Sequence, residues 1–455
     1  MVAMSHRAQV AVVPAAGLLG AAAATRAGHG LVNNHDPADA TLLLTVLSKV
    51  SGTRYHEPSP RDARRHITLS STALSRPDGK GPSSSLSATP SGRWPRLVLV
   101  LPATDAREGI VMAHGGGEAQ GELTLPPPQL TFACELDRAR LAGLLADPQV
   151  TDDLLALGAR VALMCSDFSD ERAGVVRRLN AAGVPVTGIP LLPLAEGYYF
   201  TVDNANRAAG SYQQFTAWTH RHGLVWDGVG LDIEPDARIF LQIIEGPWRL
   251  VPMLAPRLFD RARPARSKAA YRALVDQIRA DGWRVENYQF PLIADERQAG
   301  STVLQRLALV DVTTDREVWM LYSSFLRALG PGLIWAYGPE APAIAVGTTG
   351  GGPDIPGSPQ MPSLNWEELA GDLRLARHFC DQILIHSLEG CVWQGFLPRL
   401  RSFEWTDIEG PPDGTRAAAA LRTSLRATLW GSAHPGPVLG ITAAAAWLAW
   451  WWRRR

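Results

Sequence analysis

The run Trp226-Asp227-Gly228-Val229-Gly230-Leu231-Asp232-Ile233-Glu234-Pro235 ends in two carboxylates set two residues apart. Along an extended strand such residues point to the same side, so Asp232 and Glu234 share a face with Gly228 and Gly230. Glycine at both earlier positions leaves room beside the acids. Two carboxylates in a confined mouth cannot both ionise cheaply, so one must keep its proton towards neutral pH. A protonated carboxylic acid near neutrality is what cleavage of a glycosidic bond requires. Asp227, at an odd offset from Glu234, falls on the opposite face and reads as structural from the spacing alone.

The elements that must position this pair recur along the chain. From Leu130 onward, short apolar runs rich in β-branched residues alternate with longer segments of helical period, the pattern of βα units around a parallel sheet. Strands are predicted near 130–136, 160–166, 184–192, 226–234, 284–293, 317–325, 342–348 and 382–388. Helices such as DERAGVVRRLNAAG and WEELAGDLRLARHF fall between them. Eight strand–helix steps over about 270 residues match a (β/α)8 barrel, an α/β fold in which ligands bind at the C-terminal ends of the strands. An open doubly wound sheet would want a glycine-rich phosphate turn after the first strand, and LTFACELDRAR has none. Polar residues follow most of the runs: Glu135 and Asp137, Asp167, Glu234, Asp295 and Glu296, Tyr322, and Glu389.

At these positions the sequence resembles glycoside hydrolase family 18, which contains chitinases and endo-β-N-acetylglucosaminidases. That family carries D-G-x-D-x-D-x-E on barrel strand four, and Asp227-Gly228, Asp232 and Glu234 match it in register. The middle acid of the pattern is Gly230 here. A second signature, M-x-Y followed by Asp or Asn on strand six, is echoed by Met320-Leu321-Tyr322, with Ser323 in place of the acid or amide. The resemblance implies a substrate-assisted retaining mechanism on N-acetylhexosamine-containing glycans. Glu234 would protonate the leaving oxygen, the substrate's acetamido carbonyl would attack the anomeric carbon, Asp232 would orient that group, and Tyr322 would hydrogen-bond it. Asp227 enters the candidate substrate-binding set through the same motif.

Further substrate-binding candidates are Glu135 after the first run, Tyr198 (beside Tyr199) after the third, Asp295 after the fifth, and Trp393 after the eighth, where an aromatic face can stack on a sugar ring. Each also fits ordinary packing or solvation. His386 reads as a satisfied core histidine, and the glycine-rich run 347–352 as a flexible barrel loop. Two other readings stand beside the first. A lysozyme-like barrel hydrolase, resembling family 25, would use Glu135 or Asp137 on strand one but expects an acid on strand six. A catalytically silent barrel binding a glycan or a protein would explain Gly230 and Ser323.

Composition limits the remaining choices. The 455 residues carry 44 Lys+Arg against 44 Asp+Glu, and a formally neutral chain argues against a nucleic-acid binder working through a basic surface. The 4 cysteines show no zinc spacing, and no nucleotide fingerprint or ligand cluster implies a cofactor or a metal. Residues 1–25 have the outline of a signal peptide or a disordered leader. Residues 26–125 are irregular, with a Pro/Gly/Ser stretch at 76–92 and an isolated His114-Gly115-Gly116-Gly117 that lacks any G-x-S-x-G partner. The barrel is expected over 126–410 and a helix and linker over 411–436. Residues 437–455, an uncharged run ending in tryptophans and Arg453-Arg454-Arg455, are expected to form a transmembrane tail, roughly 15 apolar residues against the ~20 of a perpendicular span. Together the ends predict a membrane-anchored or secreted protein with its barrel outside the cytoplasm.

Overall fold

The structure is a computed structural model that describes residues 125–235, 251–352 and 362–454. The expected leader, nearly all of the irregular segment and the glycine triplet after His114 lie outside these residues. Eight parallel strands close into one barrel in chain order. They are β1 (Gln129–Cys134), β2 (Arg160–Cys165), β3 (Val186–Pro190), β4 (Gly228–Asp232), β5 (Val285–Gln289), β6 (Arg316–Met320), β7 (Ile344–Gly347) and β8 (Gln382–His386). Each falls within or against a run predicted from the sequence. Closure is made by β8 on β1, where Ala133 stands opposite His386.

The helices are α1 (Arg138–Leu144), α2 (Pro148–Ala156), α3 (Asp170–Ala182), α4 (Ala205–His222), α5 (Val251–Arg257), α6 (Ala262–Ala280), α7 (Leu292–Ala299) and α8 (Val303–Leu307). They continue as α9 (Gly330–Tyr337), α10 (Trp366–Phe379), α11 (Leu388–Trp393), α12 (Phe396–Arg401), α13 (Thr415–Ala433) and α14 (Pro435–Arg453). Local chemistry marks their ends. Ser169 caps α3 through the Arg172 amide, and α3 and α4 stop at Gly183 and Gly223 in the left-handed region that glycine tolerates. Asn365 and Glu368 make a reciprocal capping box on α10.

Strand alternation splits the apolar core in two. One set, including Phe132, Val161, Leu163, Val229, Leu231, Phe215 and Trp218, fills the space between barrel wall and helices. The other, including Ala133, Met164, Ile189, Tyr288, Val318, Met320 and Leu384, fills the barrel interior. Burying a side chain such as Leu163 contributes about 1.5–3 kcal/mol, so the two layers supply the main drive to this fold.

Residues 435–453 form α14, and several of its side chains are exposed, among them Leu439, Trp447 and Trp452. Among the described residues no helix is long and apolar enough to cross a membrane. The expected transmembrane tail is therefore corrected: α14 begins Pro-Gly-Pro and depends on Ala, Thr, Gly and Trp, which are weakly apolar beside the Leu and Ile of a spanning segment.

Candidate active site

Asp232 is the last residue of β4 and points with Gly230 into the barrel mouth. The strand end is held by a bridge to the loop after β3: the Phe200 amide donates to the Asp232 carbonyl at 3.3 Å, and the Glu234 amide donates to the Phe200 carbonyl at 2.8 Å. This extension carries Glu234 one more strand step along the same face. Asp232 is only 4% exposed, whereas Glu234 is half-buried. Asp232 Oδ1 has no hydrogen-bond partner among the described residues.

Burial, then the charge of Glu135, pushes the Asp232 carboxyl up to about 7, against an opposing pull from His386. Burial, then Asp232 and then Glu135, holds Glu234 well above the usual carboxylate range. The pair therefore titrates as a coupled unit that retains a proton at neutral pH. Tyr322, which follows β6, faces both: burial and the charges of Glu234, Asp232 and Glu135 keep its hydroxyl protonated far above its ordinary range. Its ring packs 5.8 Å from Phe325 and 5.7 Å from the imidazole of His386, centroid to centroid.

The opposite side of the mouth comes from β1, β8 and the loop after β3. Glu135, 3% exposed, accepts the Tyr199 hydroxyl at 3.2 Å and lies 3.3 Å from His386 Nε2. Tyr198 adopts φ 62°, a left-handed conformation strained for an aromatic residue. That turn places its ring edge-to-face on Tyr199 at 4.9 Å and brings both tyrosines to Glu135. Glu389, fully buried at the start of α11, accepts the Glu135 amide at 3.4 Å and the Gly352 amide at 3.0 Å.

The structure thus groups Glu135, Tyr198, Asp232, Glu234 and Tyr322, and separates Asp227 and Asp295 from them. Asp227 lies at the N-terminal end of β4, half-exposed and ion-paired with Arg160, which also binds Glu286 at 3.1 Å. A strand length separates it from Asp232, so it braces the barrel floor rather than the mouth. Asp295 sits on α7 in the helix layer, wholly buried, receiving Arg422 Nε at 2.8 Å, Arg426 Nε at 2.6 Å and the Tyr337 hydroxyl. Its carboxylate fastens α13 and α9 to α7, and it is not a residue of the mouth. Trp393 stands 57% exposed at the end of α11.

Two readings of the sequence need correction. His386 is no ordinary core histidine: it faces Glu135 across the mouth and its Nδ1 is buried without a partner among the described residues. The glycine run after β7 is a close-fitting wrap at its described end. A Cβ at Gly351, where φ is +86°, would lie 2.3 Å from Glu389 Cγ, so only glycine lets the loop pass over that carboxylate. The signal for both was present in the strand-end position of His386 and in Glu389 three residues on. A lone histidine in an apolar run does not announce a partner 251 residues away. Among the described residues no group of three or more His, Cys, Asp or Glu is arranged to hold a metal ion.

No family model matches the chain, and no curated protein matches it. Among solved structures, one titled as the glycotransferase of kitacinnamycin aligns with 69% of this chain and 98% of its own, at 12% identity and a TM-score of 0.16. At that TM-score the likeness carries no argument about function.

Proposed function

We propose that the chain is a glycoside hydrolase in which Glu234 is the general acid. The observation that carries this reading is the placement of Asp232 and Glu234 on one strand face at the C-terminal mouth of a parallel barrel, Asp232 buried and Glu234 half-buried, with Tyr322 close enough for both charges to act on its hydroxyl. In such a site Glu234 gives its proton to the leaving glycosidic oxygen as the bond to the anomeric carbon breaks. With an N-acetylhexosamine substrate, the acetamido carbonyl supplies the electron pair that the anomeric carbon loses, and no protein nucleophile is required. Asp232 then orients the acetamido N–H and balances the positive charge that develops on the cyclised group, while Tyr322 donates to its oxygen.

One observation favours a second reading, a barrel that binds a glycan without cleaving it. Ser323, standing where the family-18 pattern has an acid or amide, donates its hydroxyl to the buried Asp372 of α10 and so turns away from the mouth. Fluorogenic N-acetylglucosamine oligomers assayed with the unaltered protein and with Glu234→Gln separate the two. The hydrolase reading expects turnover to fall by ~10²–10⁴ with glycan binding retained. A folded protein that binds the oligomers and never turns them over supports the silent barrel.

A further inference from the structure

On the near side of Asp232 along its own strand, at position 230, stands a glycine and no acid. A Cβ at Gly230 would stand 2.7 Å from Ile189 Cγ1 and 3.0 Å from Tyr288 Cε2, so interior side chains already occupy the space a longer residue would need. What faces Asp232 comes instead from the seam between β1 and β8. There the Tyr199 hydroxyl donates to one oxygen of Glu135 at 3.2 Å, and the other oxygen lies 3.3 Å from His386 Nε2.

We propose that Glu135 and His386 form a positioning pair that keeps Asp232 the charged member, and Glu234 the protonated member, of the two strand-four acids. The consequence for turnover rests on the hydrolase reading above; the charge arrangement does not. Tyr199 fixes the Glu135 carboxylate, and that carboxylate accepts the Nε2 proton of the imidazole. The groups that face His386 are Glu135 from β1, Asp232 from β4, Tyr322 after β6 and Glu389 from α11. Burial works against a charged ring, but three carboxylates around one imidazole outweigh it and hold the proton on the ring. The imidazolium in turn favours ionisation of Asp232, which Glu135 alone would oppose. Without His386 the charges of Glu135 and Asp232 confront each other, and the shared proton passes from Glu234 to Asp232. The acid then holds no proton to give.

Two measurements on the full chain test the pair. In protein labelled at histidine Cε1, with the His386 resonance assigned by its loss in His386→Asn, the imidazole is expected to titrate above the ordinary value of about 6.5. In Glu135→Gln it is expected to titrate lower. A His386 resonance that titrates at or below the ordinary value in the unaltered protein overturns the proposal, and where His386→Asn does not fold, His386→Gln supplies the assignment. In the kinetic arm, the acid limb of kcat/KM is expected to move up by ~1 pH unit in His386→Asn, because Asp232 loses its cation. A purely structural histidine would change the amount of folded enzyme and leave that limb in place, and an unmoved limb in a folded, active variant also overturns the pair. If the unaltered protein turns over no substrate, the hydrolase reading falls and the imidazole titration alone decides the pair.

Discussion

His386 Nε2 lies 3.3 Å from Glu135 Oε2 at the seam where β8 closes onto β1, joining two residues 251 positions apart in the chain. Barrel closure creates this contact. It puts an imidazole across the mouth from the strand-four acids, and it makes the charge state of Asp232 depend on residues that its own strand does not supply.

The raised Asp232 carboxyl has a consequence for stability. In the unfolded chain an aspartate titrates near ~3.9, whereas in the folded protein Asp232 titrates at about 7. The folded state therefore binds the proton more tightly, and its advantage, complete below the unfolded value, is lost as pH rises through 7. Asp232→Asn removes this dependence. Its melting temperature should equal that of the unaltered protein near pH 4 and exceed it by ~6–10 °C above pH 7, as read by thermal melts across that range. A gap that does not change with pH would contradict the assignment.

Restoring an acid at position 230 should harm the protein. Gly230→Asp drives a side chain into Ile189 and Tyr288 and buries a further charge beside Asp232. The expected loss is about 2–4 kcal/mol in urea unfolding, with no gain in turnover. Trimming Ile189 to Ala in the same chain should recover part of the packing strain but leave the charge term.

Asp295 separates a stability role from a substrate role. Asp295→Asn leaves Arg422 and Arg426 facing a neutral amide in a buried layer, and should cost about 3 kcal/mol by denaturant unfolding. KM measured on folded protein should stay where it was. A rise in KM without a loss of stability would return Asp295 to the site.

Tyr322→Phe removes one hydroxyl and keeps the ring against Phe325 and His386. Under the proposed mechanism kcat should fall by ~10–100-fold with the melting temperature within ~2 °C of the unaltered protein. An unchanged kcat would remove the hydroxyl from the reaction.

All eight strands were legible in the sequence because each is a short β-branched run bounded by helical period, and neither signal needs a distant partner. The shared face of Asp232 and Glu234 was legible for a similar reason, since strand alternation is a local rule. Asp227 and Asp295 were misplaced because a motif or a strand-end position does not say which side chain is taken elsewhere. Asp227 is claimed by Arg160 on β2, and Asp295 by two arginines more than a hundred residues downstream.

The sequence by itself determined the eight-fold strand and helix alternation, the end of β4 that bears the acids, and the face those acids share. These follow from backbone geometry and burial, which act within a few residues. Only the tertiary structure decided which polar groups meet in the mouth, that Gly230 has Ile189 and Tyr288 pressed against it, and that His386 faces Glu135 and Asp232. The physical reason is that closing the barrel fixes distances between strands remote in sequence, and the low dielectric of that enclosed end gives those distances their effect on charge.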